Sequence, residues 1–219
     1  MIYGAHFNLI HVPKTGGTWM RAVSQELPKG YVRDIHPRHQ PYSDLPREIA
    51  KKPTYAFVRN PWDWYVSLYS HRNANIRHKR HEFAKPYAQL DDFHRRVYDR
   101  FSGDFARSLE VPMAWEEVED RMGEPLKWVG GRFFRMTTSP FGFQVKVLRF
   151  EDSPVEGFVK ILKETTPGGL PPKVERMIRR HPKKNVSERR PYREYYTPEL
   201  RDKVAQVDAA FIARFGYSF

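Results

Sequence analysis

Phe7-Asn8-Leu9-Ile10-His11-Val12-Pro13-Lys14-Thr15-Gly16-Gly17-Thr18-Trp19-Met20 is the stretch on which the reading of the fold turns. Residues 7–12 are rich in apolar side chains and end at a proline. A short polar loop follows, and then Met20, Val23 and Leu27 recur with the spacing of one helical face. The pattern is strand, loop, helix. A loop in that position offers free backbone N–H groups and the positive end of the helix dipole, and its glycines let an anion come close to the backbone. Lys14 is expected to be exposed in that loop. An ordinary strand-to-helix turn would need the glycines for their conformation alone.

Outward from this stretch, Pro28-Lys29-Gly30 stops the helix, and residues 31–35 read as a second strand. A loop rich in His and Pro leads to a stronger strand, Tyr55-Ala56-Phe57-Val58. Next comes Arg59-Asn60-Pro61, where Asn60 can cap a helix and Pro61 suits its first turn. Trp62, Tyr65, Leu68 and Tyr69 then form an apolar face. Residues 73–142 carry weak periodicity, with helices expected at 90–101 and 114–121. Residues 145–150 alternate like a strand, and Val155, Phe158, Val159 and Leu162 mark the helix after it. Pro167-Gly168-Gly169 and Pro171-Pro172 read as a loop. One C-terminal helix is expected, with Thr197 as cap, Leu200, Val204, Val207 and Phe211 on one face, and Gly216 past its end.

Strands that alternate with helices imply an α/β fold with a central parallel sheet flanked by helices, and ligand sites at the carboxyl ends of the strands. No internal repeat, low-complexity segment or Gly/Ser linker divides the chain, so 1–219 is expected to form a single domain. Its 219 residues, 40% apolar and 15% aromatic, suffice for one core.

The chain has no cysteine, which removes disulfides, thiolate metal sites and a Cys nucleophile from consideration. No apolar run reaches membrane-spanning length and the N-terminus lacks the features of a signal peptide, so a cytoplasmic protein without an integral membrane segment is expected. The formal charge is +12. Much of the surplus lies late, at Lys173, Arg176, Arg179, Arg180, Lys183, Lys184, Arg189, Arg190 and Arg193. Such a stretch is either a solvated basic face or an attraction for polyanions.

The loop departs from the nucleotide-triphosphate P-loop, which needs Gly-x4-Gly-Lys-Ser/Thr so that the lysine follows the glycines and a hydroxyl holds magnesium. Here Lys14 comes first, and the next clear strand ends in Arg59 where a magnesium-anchoring Asp would stand. Nine histidines are present, but none forms a His-x3-His pair beside a carboxylate. No metal is expected.

Pro13-Lys14-Thr15-Gly16-Gly17-Thr18-Trp19, together with Arg59-Asn60-Pro61, Ser67 and Tyr69, resembles the superfamily of sulfotransferases that use 3′-phosphoadenosine 5′-phosphosulfate (PAPS). The form His11-Val12-Pro13-Lys14-Thr15-Gly16-Gly17-Thr18 is most similar to its carbohydrate 2-O-sulfotransferase-like branch and that branch's bacterial relatives. Val147-Leu148-Arg149-Phe150-Glu151-Asp152 resembles a further recurring strand. The resemblance implies a P-loop-like sulfotransferase fold and transfer of a sulfuryl group from PAPS to a hydroxyl or amine. It also implies 3′,5′-adenosine bisphosphate (PAP) as product. Lys14, Thr15, Gly16, Gly17 and Thr18 would wrap the 5′-phosphosulfate, and Arg59 and Ser67 would hold the 3′-phosphate. Trp19 would stack on adenine, or belong to the core as aromatics on sheet-facing helices do.

A lysine beside the bridging oxygen would act mainly in the transition state, where charge grows on the leaving phosphate. Arg59 suits bidentate phosphate recognition, although an arginine there can also cap or pair structurally. The Arg-Lys-Gly tripeptide of the cytosolic branch is absent, and the segment at Lys183-Lys184-Asn185 is a candidate to replace it. In the 2-O-sulfotransferase branch a catalytic histidine precedes the Arg-x-Pro junction by a distance that points to His39 as general base, with His36 in reserve. The acceptor is not named by any motif: a carbohydrate, a small metabolite, a lipid headgroup and a protein tyrosine all stay open, and nucleic acid is not expected as a partner. Two other readings account for less of the pattern. A non-catalytic module binding heparin-like chains or nucleic acid explains the charge and not the ordered loop, and a kinase on a degenerate P-loop would need magnesium.

Overall fold

A computed structural model describes residues 1–35, 42, 45–110, 137, 142–182 and 189–219. The chain divides into two compact units, Met1–Arg59 with Phe133–Val186, and Asn60–Arg132 with Ser187–Phe219. His36, His39, the helix expected at 114–121 and the segment Lys183-Lys184-Asn185 lie outside the described residues.

The first unit holds a five-stranded sheet formed by β1 (Ile2–Gly4), β2 (Asn8–Ile10), β3 (Val32–Ile35), β4 (Thr54–Val58) and β5 (Val145–Arg149), in the order β3-β1-β2-β4-β5. β2, β4 and β5 are parallel, with Ile10 opposite Ala56 and Val58 opposite Arg149. This is the parallel centre expected from the sequence. β1 is an addition. It runs antiparallel to β2 and β3, joined to β2 by a tight turn in which Gly4 N–H donates to the Phe7 carbonyl at 2.8 Å. A Cβ on Gly4 would lie 2.3 Å from the Phe7 ring, so only glycine closes that turn. Its three residues are too few for an alternating pattern. β2 is shorter than the apolar run 7–12 because Val12 N–H turns back onto the Ile10 carbonyl and ends the ladder.

Every residue of β4 is buried, as both faces of an inner strand require, whereas no residue of β5, at the end of the strand order, is fully buried. Helices α1 (Gly17–Glu26), α2 (Arg47–Ala50), α6 (Pro154–Thr165) and α7 (Pro172–Arg180) also belong to this unit. Phe7, Leu9, Trp19, Val23, Phe57, Phe158, Ile161 and Ile178 form its core. The Pro171-Pro172 loop proves to be the start of α7: Pro172 occupies the first turn, where its missing N–H costs nothing, and Val174 and Ile178 bury one face. Part of the basic segment is therefore one side of an amphipathic helix, with Lys173, Arg176 and Arg180 exposed.

The second unit is helical. α3 (Pro61–Arg77) begins where the sequence signals it, with Asn60 Oδ1 accepting from Trp62 N–H and Asp63 N–H at 3.1 and 3.4 Å. α4 (Asp92–Phe101), capped by Asp91, and α5 (Phe105–Glu110) follow. Ile76, Phe83, Leu90, Val97 and Phe101 form a core of their own. The single C-terminal helix is corrected to two, α8 (Pro198–Val207) and α9 (Ala209–Phe215). The break falls at Asp208, which is buried and accepts the Tyr65 hydroxyl at 3.0 Å. Thr197 and Gly216 cap the outer ends as expected. Among the described residues no helix is long and apolar enough to cross a membrane.

Candidate functional site

After Ile10 the chain passes through buried His11 and Val12 into a loop locked by its own polar groups. Thr15 Oγ1 donates to the Val12 carbonyl at 2.8 Å. Thr15 is buried, so its hydroxyl shapes the loop, and it is the backbone here that can meet a ligand. Lys14 and Gly16 both adopt left-handed conformations, with φ of 64° and 83°. Residues of that kind alternating with ordinary ones turn successive N–H groups to one side and form a concave anion cradle. Lys14 is half-buried rather than exposed.

Gly17 opens α1, and no side chain caps this helix. Its first turn carries no acidic residue, so the end of the helix is positive and its N–H donors are not spent on a cap. A Cβ on Gly17 would lie 2.0 Å from Nε2 of His11. The His11 ring is thus the wall against which the loop is pressed. Thr18 is half-buried in the first turn. Trp19 is 5% exposed, meets Phe158 and His181 edge-on, and donates Nε1–H to the His181 carbonyl at 3.4 Å; it occupies the core.

Arg59 follows the last residue of β4 and is 7% exposed. Its Nη1 donates to the Lys14 carbonyl at 2.8 Å, and its guanidinium lies 4.5 Å from the centroid of the Phe150 ring, just past β5. A Cβ on Gly16 would stand 3.3 Å from Cε2 of the same ring. The carboxyl ends of β2, β4 and β5 therefore meet through Lys14, Gly16, Arg59 and Phe150, at the end of a parallel sheet where α/β proteins bind ligands. Phe150 belongs to a motif that the sequence points to, but only the fold reveals that it supports Arg59. Ser67 lies in the second unit, buried in α3 at 6% exposure. Among the described residues no three His, Asp or Glu side chains group as metal ligands.

No family model matches the chain, and no curated protein matches it. Among solved structures it is similar to mouse sulfotransferase SULT7A1 complexed with PAP, at 14% sequence identity and a TM-score of 0.55, over 98% of this chain and 86% of that one. At that identity the likeness is one of architecture: the chain has a sulfotransferase-like α/β fold, a parallel-centred sheet flanked by helices.

Proposed function

We propose that this chain is a PAPS-dependent sulfotransferase of a single domain, akin to the carbohydrate 2-O-sulfotransferase-like branch, acting on a hydroxyl or amine of a sugar or small metabolite. The observation that carries the reading is the cradle itself. Two left-handed residues, an uncapped helix N-terminus without acidic neighbours, and Arg59 bonded to the Lys14 carbonyl lie together at the ends of the parallel strands. These groups fit a ligand with several anionic groups, and they lie in a fold similar to one solved with PAP.

PAPS would supply an activated sulfuryl group. The chain would supply Lys14 and the N–H groups of residues 15–18 to stabilise charge that grows on the leaving phosphate, a contribution made in the transition state. Arg59, and Ser67 on the helix that follows it in sequence, would distinguish a 3′-phosphorylated nucleotide from plain adenylate. His39, or His36, would take the acceptor's proton; a neutral imidazole with an ordinary pKa of about 6.5 suits that task near neutral pH. Trp19 would contribute by packing α1. A kinase reading requires lysine after the glycines and a magnesium anchor at the end of β4, where Arg59 stands.

Thermal unfolding with and without nucleotide tests the proposal. PAP at a hundred times its dissociation constant should stabilise the fold by about 2.7 kcal/mol, and adenosine 5′-phosphate should stabilise it less. Equal shifts from the two nucleotides would remove the 3′-phosphate assignment, and no shift from either would end the reading.

A further inference from the structure

His181 follows the last residue of α7, and both nitrogens of its ring face an oxygen. Nε2 lies 3.2 Å from Oε1 of Glu26, the last residue of α1, and Nδ1 lies 3.1 Å from the carbonyl oxygen of Pro182. The backbone of the same residue is held as well, since Trp19 in α1 donates Nε1–H to the His181 carbonyl at 3.4 Å. One residue thus fastens the exit of α7 to α1 by its side chain and by its carbonyl, all within the first unit.

A count of hydrogens decides what state of the ring this arrangement suits. A carbonyl oxygen only accepts, and so does an ionised carboxylate, so both contacts are hydrogen bonds only when both ring nitrogens carry a proton. The Glu26 side chain is 58% exposed and is solvated as an ion, which leaves the proton on the imidazole. A neutral ring has one N–H and must turn a lone pair toward an oxygen. The His181 side chain is only 3% exposed, so water is poorly placed to make good the lost bond. Burial by itself disfavours a charged ring, and the two acceptors offset that cost only together. Of the charged groups near the ring, Glu26 comes from α1 and bonds it. On α7, Arg179 is engaged by Glu156 and Glu175, and Arg180 is exposed. Trp19, which meets the ring edge-on from α1, carries no charge.

We infer that His181 is a pH-sensitive clamp: as an imidazolium it pins the exit of α7 to the end of α1, and on losing a proton it gives up one of its two side-chain bonds. The step falls where an ordinary imidazole changes charge, between about pH 5 and pH 8. The clamp does not depend on the nucleotide reading.

Nuclear magnetic resonance of the whole chain tests it. Correlation of the His181 ring nitrogens with their protons should show both nitrogens protonated at about pH 5.5 and one at about pH 8. Protection of the amides at the end of α7, corrected for the intrinsic pH dependence of exchange, should fall by about tenfold between those two conditions, the scale of one hydrogen bond to a charged group. His181→Gln keeps a donor that does not titrate and should show no such step. Glu26→Gln, a substitution at an exposed side chain, should lower the protection at the acidic condition and shrink the step, and it decides the matter should His181→Gln fail to fold. A ring already neutral at about pH 5.5, or wild-type protection that ignores pH, overturns the assignment. So does a step of equal size in either variant, because the titrating group would then lie elsewhere.

Discussion

Arg59 donates to the carbonyl of Lys14 across 45 residues of sequence, at 2.8 Å, while its guanidinium rests on Phe150. The arginine proposed to meet phosphate is also the tether of the loop proposed to meet sulfate. Arg59→Ala should therefore remove a charge partner, at a cost to PAP binding of about 2–5 kcal/mol, and loosen the Lys14 backbone as well. A double-mutant cycle of Lys14→Ala and Arg59→Ala, read by PAP affinity, should show a coupling of about 0.5–3 kcal/mol. Strict additivity would mean that the Lys14 side chain and Arg59 act independently on the nucleotide; the Arg59–carbonyl bond itself survives Lys14→Ala and is removed only by Arg59→Ala.

Lys14 itself separates chemistry from conformation. Lys14→Ala should lower turnover by roughly 10²–10³ with a smaller effect on nucleotide affinity, the scale for one transition-state donor. Lys14→Gly removes the same ammonium but relieves a left-handed conformation at φ 64°. It should therefore unfold at higher denaturant than Lys14→Ala, by about 1 kcal/mol. Near-wild-type turnover in both variants would remove Lys14 from the mechanism.

The two glycines of the loop should fail for different reasons. Gly16→Ala meets Phe150 at 3.3 Å, an adjustable contact, but must hold φ 83°, so about 1 kcal/mol of stability is lost. Gly17→Ala places a methyl group 2.0 Å from the His11 ring, which must move, and about 1–3 kcal/mol should go. The double variant Gly17→Ala with His11→Ala should recover part of that loss in urea unfolding, because the obstructing ring is gone. No recovery would place the strain elsewhere.

Tyr55 sets an alkaline limit to stability. Burial first, and then its 3.0 Å hydrogen bond to Glu164 and the charge of that carboxylate, push its hydroxyl from 10.0 up to about 12. An acid whose folded value is raised contributes stability that is whole below the unfolded value and is lost as pH rises through the folded one. On the order of 2 kcal/mol should therefore disappear between pH 10 and pH 12. Tyr55→Phe should flatten the pH dependence in that window; an unchanged slope would mean the hydroxyl does not link to folding.

The loop at 14–18 and the Arg59-Asn60-Pro61 junction were legible because their signals are local. Glycines, a capping amide and a first-turn proline act within a few residues of themselves, and the structure reproduces both junctions. Strand β1 was not legible because three residues carry no period. The helix expected from Thr197 to Gly216 breaks at Asp208 because Tyr65, 143 residues away, holds that carboxylate. α7 was hidden behind two prolines that a helix tolerates only in its first turn.

The sequence by itself determined the strand-to-helix successions β2 to α1, β4 to α3 and β5 to α6, the parallel centre of the sheet and the chemistry available in the first loop, since each follows from periodicity and from conformational preferences of neighbouring residues. Only the tertiary structure decided how those groups are used. It gives the Thr15 hydroxyl to Val12, seats Trp19 in the core, stacks Arg59 on Phe150 and binds Arg189 to Asp63 across 126 residues. Such pairings depend on which buried groups must satisfy one another once the chain has closed, and spacing along the sequence does not encode them.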